Sequence, residues 1–161
     1  MDANKERRGR REPPRPSDCA TVGRGGTQVG RHRRGCGAGA ERMLVMFARE
    51  EPGEVIGQIS HTSIVRGPAE MCVVGYALAA KAQGQGYMHE GLKASLDYVF
   101  GQLHMHRVMA NFMPHNVRSN AVLRRLGFIV EGYARDYLYI NGGWRDHVLS
   151  SLTNPSWTPL E

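Results

Sequence analysis

The placement of large apolar residues limits the fold more than any other feature of this chain. Residues 1–42 contain no Leu, Ile, Phe, Tyr or Trp, so a hydrophobic core has to come from residues 43–161. The same first segment carries 11 Lys or Arg against 5 Asp or Glu, together with 8 Gly and 3 Pro. The rest of the 161-residue chain balances 10 basic against 10 acidic residues, so the whole net charge of +6 sits in residues 1–42. A segment of that composition cannot bury enough apolar surface to offset its ordering entropy, and disorder is expected. Residues 43–161 are expected to fold as one domain with a modest core.

Several classes are excluded at this stage. No run of about 18 apolar residues suggests a membrane helix, and no apolar stretch near the N-terminus suggests a secretory signal. A cytoplasmic protein is the default expectation. Three cysteines, Cys19, Cys36 and Cys72, have neither disulfide parity nor zinc spacing, so no metal site is expected. Cys72 stands in an apolar run and is expected to pack as a small hydrophobe. The basic patch at Arg31–Gly35 could touch RNA phosphates weakly, but no aromatic residue interleaves it for stacking. A low-complexity extension without a role is the plainer reading of residues 1–42.

The patterning beyond residue 42 alternates strands with helices. Met43–Ala48 and Val55–Ser60 flank the turn residues Glu51-Pro52-Gly53-Glu54 and read as a hairpin. Met71–Leu78 is apolar nearly throughout, which predicts a strand buried on both faces. Met88, Leu92, Leu96, Val99, Phe100 and Leu103 repeat at helical spacing. Arg107–Met113 is the next strand, broken by Pro114. Asn116 then opens a second helix that Gly127 closes. Phe128–Ala134 and Tyr137–Ile140 are strands, and Asn141-Gly142 turns the chain into a last strand, Trp144–Leu152. The predicted order is β-β-β-α-β-α-β-β, an α+β domain with a mostly antiparallel sheet.

Two short stretches suggest chemistry. Gln83-Gly84-Gln85-Gly86 lies between a strand and a helix start, where exposed amides and the helix dipole favour a pyrophosphate. It lacks the Lys-Ser/Thr of a nucleotide-binding P-loop and the distant acidic residue of a dinucleotide fingerprint. At the second helix start, Asn116 suits an N-cap, and Ser119 would add a polar side chain near the glycine loop. His104 and His106 have the look of a metal pair, although turn and packing roles explain them as well.

Larger motifs follow: Val65-Arg66-Gly67, Val74-Gly75-Tyr76, His106-Arg107, Met113-Pro114-His115-Asn116, Leu126-Gly127-Phe128, Glu131-Gly132-Tyr133-Ala134, Asp136-Tyr137-Leu138, Trp144–Leu149 and Asn154–Pro159. With the glycine loop, they make residues 43–161 resemble the C-terminal two-thirds of a GNAT N-acetyltransferase, in the branch that modifies the N-terminal alanine of ribosomal proteins. The resemblance implies a GNAT fold and acyl transfer from acetyl-CoA to a protein N-terminal amine, plausibly of a ribosomal protein. It implies a cofactor cleft between Met71–Leu78 and Arg107–Met113, with Lys81, Gln83, Gly84, Gln85, Gly86, Tyr87 and Met88 around the pyrophosphate. Asn116 would face the cofactor, the amides near Val73, Val74 and Gly75 would serve the oxyanion, and Ser119 would protonate the leaving thiolate.

This chain also departs from that family's pattern. Lys81 stands where the family has Arg or Gln, and a Lys lacks the forked geometry of Arg. Val73 and Leu123 stand where many relatives carry a glutamate base and a tyrosine acid. The base is left among Glu70, Asp136 and His147, each of which also has a structural reading. The family's first strand and two helices, one wall of the acceptor cleft, are expected to be missing, with apolar surface exposed in consequence. Two further readings therefore stand beside the enzyme: a CoA-binding or interaction module, and an RNA-associated protein acting through residues 1–42.

Overall fold

The computed structural model describes residues 41–48 and 53–159, and the backbone of two strands at 19–21 and 27–32. In chain order the elements are β1 (Cys19–Thr21), β2 (Thr27–His32), β3 (Arg42–Ala48), β4 (Val55–Val65), β5 (Met71–Leu78), a 3-10 turn (Ala80–Ala82), α1 (Tyr87–Gly101), β6 (Arg107–Phe112), α2 (Val117–Arg125), β7 (Ile129–Ile140) and β8 (Gly143–Thr153). They form one eight-stranded sheet in the order β1-β2-β3-β4-β5-β6-β8-β7. With the strands predicted between Phe128 and Ile140 counted as one, the expected β-β-β-α-β-α-β-β series is borne out from β3 onward.

Every neighbouring pair is antiparallel except β5 and β6. Parallel strands need a long crossover, and here α1 supplies it. Its residues Leu92, Leu96 and Val99 are buried, while Met88, Phe100 and Leu103 pack at the margin of the core. Gly91 allows a close approach, because a Cβ there would meet Met46 Cε at 2.6 Å. Helix α2 adds Leu123 to the same cluster, together with Cys72 and Val74 of β5 and Val108, Ala110 and Phe112 of β6. Both helices therefore cover one side of the sheet, called the helix face below.

Three expectations need correction. Met71–Leu78 is buried on one face only: Cys72 and Val74 are enclosed, whereas Val73 is half-buried and Gly75 exposed. An antiparallel sheet needs cover on one side alone, and both helices lie on that side. Residues 1–42, where composition predicts disorder, contribute β1 and β2, which pair in series onto β3. Main-chain pairing satisfies backbone groups without large apolar side chains, a contribution that composition does not register. The basic patch at Arg31–Gly35 begins in β2, and the rest of it lies outside the described residues. The two strands predicted between Phe128 and Ile140 are one strand with register shifts at Val130/Gly132 and Ala134/Leu138, and Phe128 packs in the core just before it.

Among the described residues two histidines are buried, His61 and His147. His61 is fully buried, its Nδ1 lies 3.8 Å from Cys72 Sγ, and its Nε2 has no hydrogen-bond partner. Burial lowers its pKa from 6.5 to about 4 and pushes the Cys72 thiol up to about 11. Cys72 thus packs as the small hydrophobe expected. His104 and His106 both lie against the Trp157 ring, at 5.8 and 5.5 Å, in packing roles. Among the described residues no group of three His, Cys, Asp or Glu side chains could hold a metal. No helix there is long and apolar enough to cross a membrane.

The buried imidazole of His61 makes stability depend on acidity. A folded pKa below the unfolded one adds stability that is complete above pH 6.5 and lost as pH falls towards 4. The loss should reach about 3 kcal/mol, read from urea midpoints at pH 7 and pH 4. His61→Leu should remove most of this slope. An unchanged slope in that variant would place the acid sensitivity elsewhere.

Candidate active site

The site begins where two strands separate. β5 and β6 are bonded only from Met71 to Val73 and from Arg107 to Met109. Beyond that point β5 runs on to Leu78, still paired with β4 on its other side, and β6 runs on to Phe112. Among the described residues nothing pairs with the β6-facing edge of Val74–Leu78, a template for an extended group carrying amides. Val74 and Gly75, two of the expected oxyanion residues, are the first past the divergence, and Val73 is the last paired residue before it.

The glycine loop stands at this open end. Gly84 and Gly86 have φ of +78° and +88°, a region that only glycine enters without strain. A Cβ built on either would meet nothing within 4 Å, so the backbone there is open to an approaching ligand. Gly86 caps α1, and its carbonyl accepts from the His89 and Glu90 amides. The amides of Tyr87 and Met88 lie in the first turn, where no helical acceptor exists. Unsatisfied amides at a helix start, with the helix dipole, favour an anion at such a place. Tyr87 and Met88 themselves pack against the core, so their backbone rather than their side chains faces this role.

Of the expected contributors, Lys81 is engaged by an ion pair of its own. Lys81 Nζ is 2.5 Å from Glu54 on the surface. The cation joined to the glycine loop is Arg118 of α2, which donates to Gln83 Oε1. Gln83 also donates through Nε2 to the Leu78 carbonyl at 3.2 Å, and Gln85 donates to the Lys81 carbonyl at 2.9 Å. The loop is thereby tied to both β5 and α2. Arg118 had a readable signal, a forked cation one residue before Ser119, but nothing local shows that it reaches back 35 residues.

Asn116 is the N-cap of α2, its Oδ1 accepting from the Ser119 amide at 3.1 Å. Ser119 Oγ lies 2.7 Å from the Tyr76 hydroxyl. Tyr76 follows Cys72 and Val74 on the helix face of β5, at the unpaired edge. Burial raises its pKa and outweighs the opposing effect of the Ser119 hydrogen bond, so the phenol stays protonated. This hydroxyl pair spans 43 residues of sequence. The sequence reading singled out Ser119 and not its partner Tyr76, whose signal was a lone hydroxyl in an apolar run.

The three candidate bases fall in different places. Glu70 sits before Met71, at the closed end of the β5–β6 pair, and its carbonyl accepts from the His106 and Arg107 amides. Although partial desolvation raises its pKa, the Arg66 hydrogen bond, the Gly67 amide and the Arg66 charge hold it below the ordinary range. Glu70 is therefore a structural anion away from the opening. Asp136 stands at the β7 irregularity with φ +48°, its amide donating to Asp146 Oδ1 at 2.9 Å. His147 is only 3% exposed and lies on the sheet face opposite the helices. Leu123, where a tyrosine acid was looked for, is buried in the core.

Known proteins share this fold. Residues 17–129 match the acetyltransferase (GNAT) domain. The ribosomal protein uS5-alanine N-acetyltransferase of Escherichia coli (strain K12) is 53% identical over 106 residues, which make up 66% of this chain and 55% of that protein. The ribosomal-protein-S5-alanine acetyltransferase from Vibrio fischeri superposes with a TM-score of 0.71 at 39% identity, covering 74% of this chain and 64% of that one. Mycobacterium smegmatis RimJ in complex with CoA-disulfide superposes with a TM-score of 0.66 at 33% identity, covering 70% and 53%. The chain spans just over half the length of the E. coli relative.

The Tyr76–Ser119 bond can be measured as a coupling. Tyr76→Phe and Ser119→Ala should each cost about 1 kcal/mol. The double variant should cost less than the sum by ~0.5–1.5 kcal/mol in urea unfolding. Simple additivity would mean that the two hydroxyls do not meet in solution.

Proposed function

The chain belongs to the GNAT acetyltransferase family, and on that premise we propose that it transfers the acetyl group of acetyl-CoA to a protein N-terminal amine. The observation that carries the proposal is the unpaired edge of β5 opening directly onto the glycine loop. A phosphate-bearing ligand with an amide-bearing arm fits both at once. The pyrophosphate rests on the amides of Gly84 to Met88, beside Arg118 and Gln83. Gln85 and the Glu54-held Lys81 fix the loop from behind. The extended arm pairs with Val74–Leu78 as an added strand would, which brings the thioester beside Val73, Val74 and Gly75.

The chemistry is direct attack. An amine lone pair adds to the thioester carbonyl, and backbone amides at Val74 and Gly75 stabilise the oxyanion that develops. The carbon–sulfur bond then breaks, and the thiolate takes a proton from Ser119. The Tyr76 hydroxyl, 2.7 Å from Ser119 Oγ, orients that donor and restores its proton. Asn116 contributes through the helix start, by fixing the Ser119 amide. The printed names of the E. coli and Vibrio fischeri relatives support a ribosomal-protein acceptor.

Two measurements test this assignment. Gly84→Val and Gly86→Val should each weaken acetyl-CoA binding at least tenfold in calorimetry, ~1.4 kcal/mol or more. Parent affinity in both variants would remove the glycine loop from the site. Ser119→Ala should lower kcat on the order of 100-fold with acetyl-CoA affinity nearly intact. Full turnover per folded molecule would leave Ser119 a structural residue.

A further inference from the structure

We propose that the sheet face opposite the helices, beside the β5–β6 opening, binds the acceptor as a primary ammonium, with His147 as the base that deprotonates it. This rests on the transfer reading above and names the amine side of that same site. Three strands bring polar groups together there. Asn111 of β6 donates through Nδ2 to the Tyr137 hydroxyl of β7 at 3.2 Å, and its Oδ1 is buried without a partner. The Tyr137 ring lies 5.5 Å from the ring of His147 on β8.

His147 Nδ1 lies 2.9 Å from the Arg145 carbonyl. A carbonyl only accepts, so Nδ1 carries a proton, and whenever the ring is unprotonated its lone pair is on Nε2. Nε2 has no hydrogen-bond partner among the described residues. The buried acceptor without a donor is Asn111 Oδ1, which is costly to leave unmet, and an ammonium brings three donors. The site thus offers an orphaned amide oxygen and an imidazole lone pair, which suit a primary ammonium better than an anion or an apolar group.

The register puts these groups beside the reaction. Asn111 lies two residues past Met109, the last β6 residue bonded to β5, and it pairs with Leu149 of β8. By strand alternation Val73, Met109, Asn111, Leu149 and His147 share one face, while Tyr76 and Ser119 lie on the other. The amine therefore enters from one side of the opening and the thiol leaves on the other. Around His147 stand the Tyr137 ring of β7, at 5.5 Å, and on its own strand the Arg145 carbonyl and the charge of the neighbouring Asp146. The Asp146 carboxylate is engaged by the Tyr133 hydroxyl at 2.6 Å and by the Asp136 amide.

The protons balance across the two faces. The ammonium loses one proton to His147 Nε2, directly or through one water, and the freed lone pair forms the new carbon–nitrogen bond. As the carbon–sulfur bond breaks, the thiolate takes a proton from Ser119. The adduct nitrogen releases its second proton to solvent, solvent returns one to the Tyr76–Ser119 hydroxyl pair, and His147 gives up its own proton to solvent.

The experiment compares the full chain with His147→Asn, which keeps a donor for the Arg145 carbonyl. Its kcat should fall about 100-fold at pH 7. The deficit should shrink below about tenfold at pH 9, because an α-amine with a pKa near 7.7–8.0 then loses its proton unaided. Affinity for acetyl-CoA should be unchanged. An equal deficit at every pH, or no deficit, overturns the base. Nitrogen NMR of the unmutated chain gives a second readout: the proton should be on Nδ1, and finding it on Nε2 overturns the proposal without any variant. A parent chain that binds acetyl-CoA yet acetylates no amine also overturns it. A parent that binds no acetyl-CoA overturns the transfer reading beneath it.

Discussion

Three residue pairs join β5 to β6, and the site exists because the pairing stops there. Had the two strands continued in register, the edge of Val74–Leu78 would be satisfied within the sheet and closed to any ligand. Parallel pairing makes the stop tolerable, since the α1 crossover holds the two strands together through the core rather than through the ladder. Leu92, Leu96 and Val99 of α1 pack on the same cluster as Cys72, Val74 and Val108. The core thus keeps the closed end shut while the other end spreads. The glycine loop stands at the spreading end because it is the turn that begins the crossover.

The sheet also divides the chemistry between its faces. A strand alternates its side chains, so neighbouring residues of β5 serve opposite sides of the opening. Tyr76 meets α2 on the helix face, where Ser119 supplies its hydroxyl partner. Val73 points to the other face, where β6 and β8 contribute Asn111 and His147. A base carried on β5 itself is absent because Val73 stands there. The proposed base is a histidine two strands away, whose Nδ1 faces the Arg145 carbonyl of its own strand.

Much of this architecture was legible because it is local. The glycine loop, the N-cap at Asn116 and the positive φ of Gly127 each follow from a few adjacent residues. The hairpin at Asn141-Gly142 does too. What sequence alone did not reveal is long-range. The Tyr76–Ser119 and Arg118–Gln83 contacts join residues 43 and 35 apart, and no spacing rule reports them. The apolar run of β5 predicted burial on both faces because an apolar composition does not say how many layers cover a sheet. For β1 and β2 the error ran the other way, since main-chain pairing gives order that apolar content does not signal.

The start of α2 shows how stability and chemistry become inseparable. Asn116 Oδ1 accepts from the amide of Ser119, the residue whose hydroxyl meets Tyr76. One interaction therefore caps the helix and sets the height of the proposed acid above the opening. The next residue but one, Arg118, uses the same first turn to reach the glycine loop. A loosened cap would shift the hydroxyl and the guanidinium together, and with them both ends of the bound thioester. N-cap side chains contribute ~0.5–2 kcal/mol to a helix, a small amount against a whole domain. Here that amount fixes two functional groups at once, so the polar first turn of α2 is better understood as part of the site than as the end of a helix.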